Sequence, residues 1–232
     1  MLFTKNSVAR KLGPDLILWV DPRKIKYDVG TKWPNTKQRQ NQINQWGAMI
    51  PLGKRPANFV VNNILRRFDS FLIAPENYRP KRIIEDLSNY PKVKNAVDNR
   101  YRIDQSLWYK QLNDDLNSQG YARHKGIKIK NKQELDSFFK NYVLDLIESM
   151  ETGGYDLDKG AEYGTALIDE HGSLHKAGSG YHRFFVARLV GLKSFPVKID
   201  GVHQVWFEKQ VEDKKAFKKL GNSLKMVEAN YR

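Results

Sequence analysis

The stretch TALIDEHGSLHKAGSGYHRFFVARLVGLKSFPVKI, residues 165–199, decides the fold. Thr165 to Asp169 is a short apolar run of strand type, Glu170 to Ser173 is a turn, and Leu174 to Lys176 returns. The chain then passes Gly178 and Gly180 and opens into Tyr181, His182 and Arg183. A helix is expected over 184–190, with Gly191 at its stop, and Phe195 to Ile199 reads as another strand. Residues 202–207 extend or follow that strand. The order of elements predicts an α/β (α+β) protein: a small mixed sheet with packed helices.

Outward from this unit, residues 133–151 give the clearest helix. Leu135, Phe138, Phe139, Tyr142, Val143, Leu146, Ile147 and Met150 fall on one side at helical spacing. The stripe is core packing. Gly153 and Gly154 stop it. Asp104 is placed to cap an earlier helix running to about Ser118, with Gly120 at its end and Leu107, Trp108, Leu112 and Leu116 on its apolar side. Glu208 to Leu220 reads as a basic amphipathic helix followed by a tail.

The first hundred residues differ in character. They hold 19 Lys+Arg and 8 Asp+Glu, against 21 and 18 in residues 101–232. Short apolar runs there are separated by turn chemistry and by most of the prolines. The expected organisation is a basic, irregular N-terminal arm over 1–103, a core over 104–207 and a C-terminal helix and tail over 208–232.

With 232 residues, 40% of them hydrophobic and 12% aromatic, the chain can bury a sizeable core. A net charge of +14 argues for an anionic partner. The absence of cysteine excludes a disulfide scaffold, cysteine-ligated metal and thiol catalysis. The longest uncharged run, 40–53, is 14 residues and rich in Gln and Asn, whereas a span needs about 20 apolar residues. No membrane partner is therefore expected, and a cytoplasmic or virus-encoded intracellular protein is.

Glycines at 178 and 180 free the backbone φ angles and let the chain approach a ligand closely. The helix that follows aims its first amides, and the positive end of its dipole, at one spot. Arg183 adds a fork of donors and His182 a group that takes or gives a proton. The set suits a phosphate group. It also fits a structural turn whose arginine faces water.

Gly180, His182 and Arg183, followed by Ala187, Gly191, Leu192, Pro196 and Val197, resemble the ParB/sulfiredoxin superfamily. Its pattern is a strand, a Gly-x-x-Arg loop, a helix with small residues, then Gly-Leu, Pro-Val and a strand. Sulfiredoxins carry Gly-Cys-His-Arg, and three of those four residues stand here. The resemblance covers about 121–207. It implies a ParB/sulfiredoxin-like core that grips nucleotide phosphates through Gly178, Gly180, Tyr181, His182 and Arg183. Arg123, His124 and Lys125 would close from the segment before the long helix. Tyr181 replaces the sulfiredoxin cysteine, which excludes sulfinic-acid repair. About 25 residues follow Phe207, too few for a DNA-reading module and a dimer module.

The implied ligand is a nucleoside triphosphate, ATP or CTP, with Mg²⁺. The expected chemistry is phosphoryl transfer or nucleotide hydrolysis. Asp169 or Glu170 would act as base or Mg²⁺ ligand, with His182 beside them, because a kinase needs a carboxylate at the acceptor or the metal. Glu148, Asp156, Asp158 and Glu162 compete for that role. Two alternatives stay open: a nucleic-acid-binding protein, with or without nuclease activity, and a non-catalytic nucleotide switch. For DNA or RNA, the interleaved Arg23, Lys24, Lys26, Tyr27, Lys32, Trp33, Lys37 and Arg39 would follow a backbone while rings stack on bases. His171 and His175 lack the helix that a zinc pair needs, and no metal site is expected. Trp206 fills core or stacks a base, and His203 lies near it.

Overall fold

A computed structural model describes residues 3–30, 33–34, 36–124, 126–157, 163–211 and 216–232. Lys32, Lys125, Asp158 and Glu162, each singled out above, lie outside the described residues. The protein is mixed α/β, and the described residues form one mixed sheet, a small separate hairpin and about ten helices.

In chain order, α1 (Lys5–Leu12) leads into β1 (Ile17–Val20) and β2 (Tyr27–Asp28). A helical pair follows, α2 (Thr36–Gly47) and α3 (Lys54–Arg67), then β3 (Leu72–Ile73), β4 (Arg82–Ile83), α4 (Tyr90–Asp98) and α5 (Leu107–Gln119). The hairpin β5 (Ala122–His124) and β6 (Ile127–Ile129) precedes α6 (Lys132–Phe138). A wider π-helical stretch, Phe139–Leu144, joins α6 to α7 (Asp145–Thr152). Last come β7 (Gly164–Ile168), β8 (Leu174–Ala177), α8 (Tyr181–Leu189), β9 (Phe195–His203), α9 (Gln204–Gln210) and α10 (Ala216–Tyr231).

The strand order is β1-β9-β7-β8-β2-β4. β9 is long enough to hold two short partners on one edge: β1 pairs along its first half and β3 along its end. The division expected at residue 103 does not follow this sheet. β1, β2, β3 and β4 all come from the first hundred residues and pair with one another or with β8 and β9. Strands of two to four residues between prolines carry too little alternation to be read as strands, so the segment looked irregular. The expected tail is likewise α10, whose Leu220, Leu224 and Val227 are buried and whose Tyr231 hydroxyl accepts from the Leu174 amide at 3.0 Å.

The two faces of the sheet are chemically distinct, as the period of two requires. Ala166, Ile168 and Leu174 belong to the main core under α8, α4 and α7. Their neighbours Leu167 and Ala177 face the other way, into a small cluster with Val29, Ile73, Trp33 and Tyr78. The long helical stripe lies as expected, with Leu135, Phe138, Phe139, Val143, Ile147 and Met150 buried. The earlier helix starts later than Asp104: Ser106 caps it, and Leu107 is exposed. No helix among the described residues is long and apolar enough to cross a membrane.

Candidate functional site: a basic cleft beside the first turn of α8

Gly178 and Gly180 form the loop between β8 and α8, both at positive φ. A Cβ on Gly180 would stand 3.3 Å from the Gly164 Cα, so the loop is pressed onto the start of β7. That close approach accounts for the glycine without a ligand. Beneath the loop lies Lys176, wholly buried. Its Nζ donates to the carbonyl oxygens of Thr165, Ala177 and Ser179 at 3.3, 2.7 and 2.6 Å, and lies 4.1 Å from the Tyr181 ring centre. An ammonium thus replaces ordinary turn chemistry in fixing this loop.

The residues after Gly180 fan out, since each step along a helix turns about 100°. Tyr181 points toward β2, and its hydroxyl donates to Asp28 Oδ1 at 2.5 Å. His182 points into a ring cluster, 5.2 Å from Trp108 and 5.4 Å from His124 between ring centres. Arg183 lines a separate cavity of about 190 Å³ beside Asp145 and Asp156. The expectation that all three converge on one phosphate therefore does not hold. His124 does meet His182, as the resemblance implied, but Arg123 is exposed and lies over the Tyr121 ring at 5.1 Å.

Asp169 and Glu170 lie elsewhere. Asp169 follows β7 at the end opposite Gly164, five residues on, or about 17 Å along a strand. β8 is antiparallel to β7 and carries the chain back over that length before the glycine loop. Asp169 also continues the Leu167 face, away from α8. The carboxylates and the loop thus stand at opposite ends of one hairpin, because a return strand separates what a short sequence distance suggested was adjacent.

Asp169 is held inside a polar chain. Its Oδ2 accepts from Lys81 Nζ at 2.8 Å, and its Oδ1 accepts from the His171 and Ser173 amides at 2.9 and 2.7 Å. Burial alone would raise this carboxyl, but the lysine and the two amides outweigh it and hold it below the usual carboxylate range. His175, also buried, places Nε2 3.4 Å from Asp169 Oδ2 and Nδ1 3.0 Å from the Tyr78 hydroxyl. Burial pushes the imidazole down to about 4 against the pull of Asp169, so near neutral pH the contact is not an ion pair. Burial and the Asp169 charge push the Tyr78 hydroxyl upward. The His203 ring packs against Tyr78 at 5.2 Å, and its Nδ1 accepts from the Val205 amide at 3.2 Å. Trp206 is buried against Gly172, which makes it a core residue. Glu170 is exposed and paired only loosely with His171.

The open space lies on the α8 side. A cleft of about 730 Å³ runs between β4, the segment 86–89 and the first turns of α8. Lys81 and Arg82 supply cations, Ser88 and Asn89 neutral polar groups, and Asp86 a carboxylate. Ile83, Leu87 and Phe185 supply apolar wall, and Tyr181 closes one end. Asp28, wholly buried, accepts from Arg82 Nη2 at 2.5 Å as well as from Tyr181. This orients a guanidinium whose side chain is 58% exposed. Burial and then the Asp28 bond push the Tyr181 hydroxyl upward. The Arg82 guanidinium lies where a side chain on Gly30 would stand, 2.8 Å from the ideal Cβ position.

No sequence signal singled out Lys81, Arg82 or Asp28 as site residues. The two-residue strands that carry them give no periodic signal. Much of the basic–aromatic set from Arg23 to Arg39 is occupied internally. Arg23 pairs with Asp21, Lys24 with the carbonyl of Asn230, and Arg39 with Asp69, while Trp33 donates to the Ser70 carbonyl. Among the described residues no group of three or more His, Asp or Glu is placed to hold a metal ion. Comparison with protein-family models, with curated proteins and with solved structures found no match.

Proposed function

We propose that the protein binds a nucleoside triphosphate, ATP or CTP, in the cleft between β4 and α8. One observation carries the reading: cations, neutral polar groups and an apolar wall share a single cleft of about 730 Å³. That volume lies within the range of small-molecule sites, about 300–1,000 Å³. Arg82 is the phosphate ligand, since Lys81 is paired with Asp169, and the wall of Ile83, Leu87 and Phe185 takes the base. The resemblance to ParB/sulfiredoxin proteins supports the ligand class. The residues that meet the ligand differ from those it implied, since Tyr181 alone of the loop lines the cleft.

Binding rather than catalysis is the reading best supported. Glu170 stands on the exposed turn at the far end of the hairpin from the glycine loop, Asp169 is taken up by Lys81 and two backbone amides, and His182 is turned into rings. Asp86 is the carboxylate lining the cleft. Mg²⁺ is commonly held by one or two carboxylates together with phosphates, so Asp86 is the residue that would hold a nucleotide-borne Mg²⁺.

The test is a thermal-shift series with ATP, CTP, GTP and UTP, each with Mg²⁺. A ligand at 100 times its Kd adds about 2.7 kcal/mol of stability. Arg82→Ala should weaken binding by about 1.5–3 kcal/mol, the scale of a hydrogen bond to a charged group. Arg183→Ala should leave it unchanged. A shift that survives Arg82→Ala but disappears in a folded Arg183→Ala would move the site to the loop and refute this assignment.

A further inference from the structure

α3 carries two apolar faces, and its hairpin with α2 uses one. Ala57, Val61 and Leu65 are buried, in a small core with Ile43 and Ile50 from α2 and the turn after it. At about 100° per residue, Pro56, Phe59, Val60 and Ile64, with Asn63 among them, share a neighbouring face. That face is open: Phe59 is 69% exposed and Ile64 44%. Phe68 after the helix, and Met49 and Leu52 in the turn between α2 and α3, extend the exposed apolar surface. Single exposed apolar residues are ordinary, but a row on consecutive turns marks a contact.

The charge around this row has one sign. Residues 30–68 contain seven Lys+Arg and no Asp or Glu. Arg55 and Arg66 are exposed at its edge, and Arg67 lies in it. Arg39 is engaged with Asp69.

We propose that the α2–α3 hairpin docks on an anionic lipid bilayer. Phe59, Val60 and Ile64 enter the acyl boundary, and Arg55, Arg66 and Arg67 sit among the headgroups. The absence of a spanning helix bears on crossing a bilayer and not on lying upon one. A second copy of this chain is disfavoured, because two surfaces of one sign repel. Nucleic acid would satisfy the cations and stack on Phe59. It would leave Val60, Ile64, Met49 and Leu52 without apolar cover, whereas a bilayer takes both kinds of group. The site is separate from the cleft, so either reading stands or falls alone.

The whole chain is sedimented with vesicles of phosphatidylcholine alone and of phosphatidylcholine with about 30 mol% phosphatidylserine. Binding is expected to the anionic vesicles only and should fall as salt rises. Phe59→Ser with Ile64→Ser leaves the hairpin core and the charge intact, and should weaken partitioning roughly tenfold. Arg66→Glu with Arg67→Glu should abolish it. Trp46, exposed on α2, gives a readout in the otherwise native protein. Anionic vesicles should shift the emission to the blue, and Trp46→Phe should remove that shift. Three results overturn the proposal. One is no sedimentation with the anionic vesicles. Another is sedimentation that the serine pair leaves unchanged in a folded protein. The third is a single-stranded oligonucleotide that displaces the chain from vesicles and binds the serine pair as well as wild type, which would assign the surface to nucleic acid.

Discussion

Asp28 and Asp169 are buried carboxylates set in similar frames on opposite faces of one sheet. Asp28 joins the Tyr181 hydroxyl to Arg82. Asp169 joins Lys81 to a histidine that in turn meets the Tyr78 hydroxyl. The difference lies in what surrounds them. The Asp28 frame presents Arg82 and Tyr181 to a cleft of about 730 Å³. The Asp169 frame closes on itself: its second oxygen is taken by two backbone amides, and His175 is wholly buried. The same residue types thus face an open cleft in one place and fix a turn in the other. Access, rather than chemical type, separates a candidate site from a structural network.

The largest effects should come from removing either carboxylate. Taking one partner from a buried charge pair leaves the other unsatisfied and costs about 3–5 kcal/mol. Lys81 and Arg82 reach solvent, so the lower end, about 3 kcal/mol, is expected for both Asp28→Ala and Asp169→Ala. Urea unfolding measures it. The two should part on ligand response. Asp28→Ala releases Arg82 and should lose the nucleotide-induced thermal shift, whereas Asp169→Ala should keep it. Equal loss in both would merge the two frames into one site.

The pH dependence of stability should sharpen the contrast, and the sign follows from His175. Its folded value is about 4, below an ordinary 6.5, so between those values the unfolded chain binds the extra proton. Stability is therefore full above about 6.5 and falls as the pH drops toward 4. A shift of that size corresponds to about 3 kcal/mol at most. The lowered Asp169 adds a further loss at still lower pH, as the carboxylate is protonated. His175→Gln should flatten the region between about 4 and 6.5 in a plot of unfolding free energy against pH. A wild-type profile already flat there would remove the buried neutral histidine from the account.

Much of this architecture was legible because long periodic segments announce themselves. The stripe from Leu135 to Met150 and the order of elements from Thr165 to Ile199 were placed nearly as found. Gly180 and Gly120 stood at helix boundaries for the expected backbone reason. What was not legible came from elements too short to have a period. β2 and β4 have two residues each, yet they carry Asp28 and Arg82. Lys176 was hidden differently. Its alternation with His175 places it inward, where a charged residue is expected only if its partners are supplied, and those partners are carbonyl oxygens that no side-chain pattern reveals. Asp169 and the glycine loop looked adjacent because sequence distance ignores the length of a return strand.

A smaller effect is expected at the loop. Gly180→Ala places a Cβ 3.3 Å from the Gly164 Cα at a backbone angle of +82°. The strain and crowding should cost about 1–2 kcal/mol. If the glycine serves packing, as the contact with β7 indicates, nucleotide affinity of the folded variant should stay near that of wild type. A large affinity loss with little change in stability would return the loop to the phosphate role.

The smallest effect separates two carboxylates, Glu170 on the turn and Asp86 at the cleft. Glu170 stands on the exposed turn between β7 and β8, where it approaches His171 loosely. Exposed pairs of this kind contribute about 0–1 kcal/mol. Glu170→Gln should therefore change stability by less than about 0.5 kcal/mol. It should also leave any Mg²⁺ dependence of nucleotide binding as in wild type, since the turn lies on the far end of the hairpin from the loop. Asp86→Asn makes the opposite change at the cleft. Its exposed side chain is not part of the core, so stability should again hold, but the gain in affinity that Mg²⁺ confers should shrink. Titrating nucleotide with and without Mg²⁺ in wild type and both variants reads these outcomes together. Loss of the Mg²⁺ effect in Glu170→Gln, with Asp86→Asn unaffected, would transfer the metal to the turn and break the distinction between the open frame and the closed one.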